Sequence, residues 1–253
     1  MKNHLRLTAS FTIMLALFIT SHMAKAQLFL DVESGALFPG YNDVRIPGES
    51  GTKISFKDDL QTEVSPFFRL RLGYTIKSRH TISGLYAPLN VTPKGMVGFP
   101  VDFDGETFAA NTPLDASYTF NSYRITYRYD LVKRPKLDFG LGFTAKIRDA
   151  EIALSGKGVE ASKKNVGFVP IVNFRLHYRM NEKIGILLEG DALAAPQGRA
   201  EDVQLAGTYR FSDRLTGRIG YRLLEGGADN DEVYNFTLFH YASVGLAYTF
   251  KSN

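Results

Sequence analysis

The segment Ser122–Asp130, SYRITYRYD, constrains the fold of this chain more than any other feature. Large apolar or aromatic residues alternate with polar ones, and two of the polar ones are arginines. Because successive side chains of a β-strand point to opposite faces, the alternation predicts a strand with two unlike faces. The apolar face carries Tyr123, Ile125, Tyr127 and Tyr129, and the polar face carries Arg124, Thr126 and Arg128.

The same period of two recurs from Gln27 onward and predicts ten strands. They lie at 27–38, 62–76, 80–91, 115–131, 137–154, 166–180, 183–194, 202–212, 215–225 and 235–250. Short connections at 77–79, 132–136, 181–182 and 212–214 alternate with long ones at 39–61, 92–114, 155–165, 195–201 and 226–234. An even number of antiparallel strands with alternating short and long connections is typical of a transmembrane β-barrel, whose short turns face the periplasm.

The N-terminus predicts export. Lys2 and Arg6 precede an apolar run at 11–19, and Ala24-Lys25-Ala26 fits a signal-peptidase site, with cleavage expected after Ala26. We therefore expect residues 1–26 to be a signal peptide and residues 27–253 to form one barrel. Three of the 30 Lys+Arg and no acid lie in residues 1–26, so the remaining chain carries 27 basic against 26 acidic residues. This near-balance removes the argument for nucleic-acid binding, and the absence of Cys excludes thiolate chemistry.

Two features indicate that the apolar faces contact lipid and the polar faces line a lumen. Glycines fall on the polar faces, where a narrow closed barrel needs room. Aromatic residues on the apolar faces lie near the predicted short turns, as an interfacial girdle requires. They are Tyr74, Tyr129, Phe139, Tyr178, Phe211, Tyr248 and Phe250. The predicted fold class is an all-β, transmembrane antiparallel barrel of ten strands.

Three prolines leave an alternative open. Pro66, Pro88 and Pro170 fall within predicted strands, and proline cannot donate a ladder hydrogen bond. Each is expected to mark a bulge or a strand end. A barrel of eight strands with a folded loop hairpin is the alternative architecture.

The last predicted strand carries a resemblance to a known class. Val244, Leu246, Tyr248 and Phe250 occupy alternate positions, and this pattern resembles the C-terminal assembly signal of bacterial outer-membrane β-barrel proteins. It departs from that signal because Lys251-Ser252-Asn253 follow the aromatic residue. The resemblance implies the outer membrane of a Gram-negative bacterium, contact with its lipopolysaccharide, and recognition of the strand by the barrel-assembly machinery.

The predicted lumen is the main candidate site. Its residues are mostly basic and would attract anions, because a low-dielectric wall focuses the field of like charges. We expect Arg69, Arg71, Arg124, Arg128, Lys146, Arg148, Arg175, His177, Glu189, Asp191, Arg218 and Arg222 to line it. Barrels of about eight strands are filled by side chains, whereas open pores need about sixteen. The sequence thus favours a structural barrel or a narrow pore that prefers small anionic solutes.

Two other functions stay open. One is a lipid- or peptide-modifying enzyme, but His240 and Ser243 are three residues apart and would face opposite sides of the wall. Ten-stranded outer-membrane proteases are similar only in strand count, because their paired acids and rim histidine find no match here. The other function is surface binding through the long connections 39–61 and 92–114. No metal or cofactor site is predicted, since the acidic run 229–232 lacks the spacing of a calcium loop.

Overall fold

The chain folds into one closed antiparallel barrel. The computed structural model describes residues 27–195 and 198–250, so the predicted signal peptide and residues 251–253 lie outside the described residues. The barrel strands are β1 Gln27–Arg45, β2 Ser65–Ile76, β3 His80–Ala87, β4 Pro113–Arg134, β5 Leu137–Gly156, β6 Val159–Arg179, β7 Ile184–Ala195, β8 Gly198–Arg210, β9 Leu215–Asp229 and β10 Tyr234–Thr249. Each strand pairs with the next, and β10 pairs with β1 to close the ring. The prediction of ten strands is confirmed, and the eight-stranded alternative is wrong.

Four short turns and both ends of the described chain lie at the same end of the barrel. The register pairs Phe29 near the start with Thr249 near the end. By analogy with transmembrane barrels this is the periplasmic end, and the opposite end is extracellular. In the part of the chain that the structure describes, no helix has the length and hydropathy needed to cross a membrane.

Three of the predicted long connections are shorter in the structure than the sequence predicts. Residues 155–165 and 226–234 mostly extend the neighbouring strands and turn within a few residues, and the described residues of 195–201 belong to β7 and β8. The β5–β6 hairpin, for example, turns at Lys157 and Gly158, both with positive φ. That conformation suits a two-residue turn between twisted strands. The extensions escaped prediction because they stand above the membrane level and are polar on their outer face, so the apolar half of the alternation is missing.

The outer surface carries one apolar band. On β5 it runs from Phe139 to Ile147, and Phe143 in its middle is 72% exposed. At a rise of about 3.3 Å per residue and a usual tilt of 35–45°, this stretch covers roughly 20 Å of membrane. Above the band the same face becomes polar with Asp149 and Glu151. The predicted direction of the apolar faces is confirmed.

The two remaining long connections, 46–64 and 88–112, fold into the extracellular mouth. They contribute short strands and a two-stranded sheet between 101 and 108. Their apolar side chains pack against the inner face of β4 and β5 in one buried cluster. Its members include Ile46, Ile54, Phe56, Leu60, Val101, Phe103, Phe108, Leu114, Tyr118 and Leu154. The cluster covers one side of the mouth and lies against the inner side of the wall formed by β4 and β5.

The prolines behave differently from one another. Pro88 follows the last residue of β3, and Pro66 is the second residue of β2, so both mark strand ends as predicted. Pro170 lies inside β6 and pairs with Ala145 of β5 without a bulge, so the expectation of a bulge or a strand end is wrong at this position. The ladder of β6 with β7 ends two residues away, at Val172.

Candidate functional site

All of the predicted lumen residues lie on inward positions of their strands, so their placement agrees with the alternation. Six are buried almost completely: Arg69, Arg124, Lys146, Glu189, Asp191 and Arg222. The other six are partly exposed to the interior: Arg71, Arg128, Arg148, Arg175, His177 and Arg218. Most of them belong to an ion-paired group in the middle of the barrel. Lys146 and Arg148 lie above this group, and Arg128 and His177 lie towards the periplasmic end.

The middle of the barrel is closed by a network that we call the ion-pair layer. At its centre, Asp202 accepts hydrogen bonds from Arg222 and from Arg69, the latter at 2.9 Å. Arg124 lies 2.6 Å from the same carboxylate and 2.6 Å from Asp191. Glu33 accepts two hydrogen bonds from Arg222, at 2.8 and 2.9 Å. Because these groups are buried, the carboxylates neutralise the arginines where water cannot.

The periplasmic side of the ion-pair layer is built in the same way. Glu189 binds Arg71 at 2.9 Å and Arg175 at 3.4 Å. Arg218 donates to Asp31 at 2.7 Å. A β-carbon added at Gly245 would lie 2.6 Å from the guanidinium carbon of Arg218, so the glycine lets that side chain lie flat against the wall.

Asp202 was missed as a site residue. The predicted strand begins at this position. The alternation therefore has apolar neighbours on both sides only from Gln204 onward, and the face of Asp202 was not assigned. Gln204 is fully buried and donates to Glu33 at 3.1 Å and to Ser243 at 2.9 Å. A signal was present in the sequence: Asp202 and Gln204 alternate with the apolar residues Val203 and Leu205. This alternation places Asp202 on the same inward face as Gln204.

Two large cavities lie on either side of the ion-pair layer. The periplasmic cavity has a volume of about 490 Å³ and reaches Arg71, Glu189 and Arg218 from below. The extracellular cavity has a volume of about 820 Å³ and lies above the layer, on the β5–β9 side of the mouth. Within the described residues no side chain lines both cavities. The ion-pair layer therefore separates them.

Lys146 and Arg148 form the basic floor of the extracellular cavity. Lys146 is 3% exposed, and its ammonium group lies 4.7 Å from the ring centre of Phe120. Arg148 donates to Asn165, while its Nε is buried without a hydrogen-bond partner. Neither cation forms an ion pair with any acid in residues 27–195 and 198–250. Both are therefore basic groups for which the described residues supply no acidic partner.

The wall around this floor is mainly apolar. Phe120, Ile152, Leu193 and Leu224 contribute side chains to it. Tyr118 stands above the apolar band, and burial raises the pKa of its hydroxyl well above the ordinary value. The hydroxyl therefore stays protonated and donates to Asn235 at 3.1 Å. The cavity combines these two basic side chains with a largely apolar lining, to which the ion-paired Glu225 and Glu232 also contribute.

The histidines do not form a catalytic group. His240 faces outward beside Tyr221, and Ser243 is buried in the ion-pair layer, on opposite sides of the wall as expected. His177 shares a hydrogen bond of 3.0 Å with Thr208 near the periplasmic end. His80 lies at the start of β3, also near that end. Among the described residues no histidine lies at the extracellular rim, and no group of three or more His, Asp or Glu side chains could hold a metal.

No protein-family model matches the chain, and no curated protein matches it. Solved structures do match in fold. The outer membrane protease OmpT from Escherichia coli has a TM-score of 0.54 at 11% identity, covering 88% of this chain and 97% of that one. The transport unit of the autotransporter AIDA-I from Escherichia coli has a TM-score of 0.49 at 8% identity, covering 91% and 92%. The similarity to the protease structure shows that the chain has the fold of the bacterial outer-membrane β-barrel proteins.

Proposed function

We propose that this chain is an outer-membrane barrel that closes its own lumen and binds an anionic ligand in the extracellular cavity. The observation that carries the proposal is the pair Lys146 and Arg148, which face that cavity without an acidic partner. A buried cation without a partner lowers stability, so its presence is best explained by a ligand that completes it. The mature chain would begin at Gln27, assemble through its C-terminal strand and contact lipopolysaccharide.

The ligand class follows from the chemistry of the cavity. A lysine and an arginine on adjacent inward positions of β5 suit a phosphate or a carboxylate, because charge-assisted hydrogen bonds to such groups are short and strong. The apolar side chains Phe120, Ile152 and Leu224 suit a hydrocarbon part of the same ligand. We therefore expect an amphiphile with an anionic head rather than a hydrophilic ion.

A titration tests this function. The refolded barrel is titrated with hexyl phosphate by calorimetry, and the double variant Lys146→Met, Arg148→Gln is titrated beside it. We expect the affinity to fall by about tenfold or more, since each lost charge-assisted hydrogen bond costs about 1.5–3 kcal/mol.

The matched control is Arg210→Gln. Arg210 is half exposed near the periplasmic end, where it pairs with Asp213 at 3.8 Å. Its loss should leave the affinity unchanged. Equal affinities in the double variant and the wild type, or no binding to the wild type, would contradict the proposal.

A narrow anion-preferring pore is the second candidate. It is favoured by the position of the two cavities, which lie above and below the ion-pair layer. The discriminating measurement is single-channel conductance in a planar bilayer under a salt gradient. A closed barrel gives no steady conductance. Steady conductance with a reversal potential that favours anions, shifted in an Arg124→Gln, Arg128→Gln double variant, would support the pore.

A further inference from the structure

The wall of the barrel is open between β6 and β7 on the extracellular side. The ladder between these strands ends at the pair Val172–Ala192. Above it, β6 continues to Val159 paired with β5, and β7 continues to Ala195 paired with β8. Within the described part of the chain these two strand segments do not pair with each other. We call this gap the β6–β7 opening.

The lower part of the opening faces lipid. Val172 is paired with Phe143, which lies in the middle of the apolar band, while the top of the band on β5 is Ile147. On the β6 edge, Phe168 points outward and is 63% exposed. Pro170 lies just above the last pair, where it cannot donate a ladder hydrogen bond. The gap therefore begins about four residues below the upper boundary of the band.

The extracellular cavity reaches this opening from inside. On the β5–β6 side the cavity is lined by the inward residues Lys146 and Val169 and also by the outward residue Phe168. On the other side it is lined by Leu193 and Arg199. The cavity therefore reaches the edge of β6 above the point where its ladder with β7 ends. At this place the basic floor lies behind a part of the wall that no β6–β7 ladder hydrogen bond closes.

We infer that a phosphorylated lipid of the outer leaflet binds here, with its headgroup on Lys146 and Arg148 and its acyl chains left in the bilayer. The inference rests on the proposed anion binding and adds the identity and the route of the ligand. Lys146 and Arg148 flank Ile147, so they lie at the level where lipid headgroups begin. A lipid can therefore move sideways through the opening while its chains stay beside Phe168 and the apolar outer wall.

A single fluorescent reporter can test the position of the lipid. The chain has no Trp, so Phe168→Trp places one reporter at the edge of the opening. Quenching by brominated phosphatidic acid is compared with quenching by brominated phosphatidylcholine in vesicles. We expect a preference of about fivefold or more for phosphatidic acid. Ile219→Trp, on the outward face of β9, is the matched reporter and should show no preference.

Closing the opening tests the route. The chain has no Cys, so a Val169→Cys, Leu193→Cys pair can be bridged by a bifunctional maleimide across the two edges. The control pair is Ala153→Cys, Ser162→Cys, which are direct neighbours within the β5–β6 hairpin. Bridging the opening should remove the preference at position 168, and bridging the control pair should preserve it.

The outcomes separate the two proposals. Equal quenching by both lipids, with hexyl phosphate still bound, would overturn the lipid inference and leave anion binding intact. Loss of hexyl phosphate binding as well would overturn the proposed function. A preference that survives bridging of the opening would overturn the lateral route. Added lipopolysaccharide that competes with phosphatidic acid would support a phosphorylated glycolipid as the ligand, and failure to compete would support a glycerophospholipid.

Discussion

Arg124 and Lys146 stand directly opposite each other on β4 and β5, and each is 3% exposed. Arg124 forms ion pairs with Asp191 and Asp202. Lys146 forms none within the described residues and lies over the ring of Phe120. The two residues share the same level, face and burial, so the difference comes from the carboxylates on the facing wall. A basic residue inside a barrel stabilises the fold where an acid opposes it, and elsewhere it is available to a ligand.

Asp202→Asn should have the largest effect on this contrast. The change leaves Arg69, Arg124 and Arg222 without their shared carboxylate. Removing one partner of a buried ion pair costs about 3–5 kcal/mol of unfolding free energy. Urea unfolding of the refolded barrel in vesicles measures the loss. The control is Asp213→Asn, at a turn where the carboxylate is 96% exposed, and a similar loss in both variants would contradict the prediction.

Gly245→Ala should disturb the ion-pair layer without removing a charge. Arg218 is held by Asp31 and Glu33, so it cannot easily move away from the added carbon. Overpacking of this kind costs about 1–3 kcal/mol. Gly207→Ala is the matched control, because its nearest atom would be 3.9 Å away. Equal unfolding curves for the two alanine variants would show that the contact between Arg218 and position 245 does not affect the unfolding free energy.

Lys146→Met should act in the opposite direction. It replaces an unpaired buried cation by an apolar side chain of similar length, so we expect the unfolding free energy to rise by about 1–2 kcal/mol. Hexyl phosphate binding should weaken in the same variant. A stability loss measured by urea unfolding would mean that Lys146 belongs to the structural network after all.

Val169→Glu should give Lys146 the partner that it lacks. Val169 is its direct neighbour on β6. Opposite charges in such a pair contribute about 0.2–1 kcal/mol, so stability should change little while hexyl phosphate binding is lost. Val169→Gln keeps the shape without the charge and should bind. If the Glu variant binds as tightly as the Gln variant, the cavity floor does not recognise charge.

Most of the fold could be predicted because lipid enforces the alternation. Inside the apolar band every second residue must be apolar, and the strands there agree with prediction within a few residues. Above the band water replaces lipid, so the outward residues are polar, such as Asp149 and Glu151, and the alternation no longer predicts a strand. No such pattern predicts the loops that fill the mouth, since Phe56 is buried in a cluster that includes Phe103 and Tyr118 from other parts of the chain.

The sequence predicts which face of the wall each candidate residue occupies. It does not predict which of these residues form ion pairs and which do not. Alternation assigns Arg124 and Lys146 to the same face, but it cannot say which carboxylate each will meet. Asp202 comes within reach of Arg69 only when β8 and β2 face each other across the closed barrel. The β6–β7 opening had one signal in the sequence, Pro170, which indicates a missing ladder hydrogen bond. The sequence does not show whether that bond is missing on the β5 side or on the β7 side of β6.

The tall β5–β6 hairpin has a practical consequence. Its tip, Lys157-Gly158, turns with positive φ, and a β-carbon at Gly158 would meet no atom within 4 Å. A short epitope in this turn, or a dye-labelled cysteine in place of the exposed Lys157, would project from the cell surface without touching the cavity. Intact cells could then be sorted by antibody or fluorescence for the amount of correctly inserted protein, separately from any measure of ligand binding.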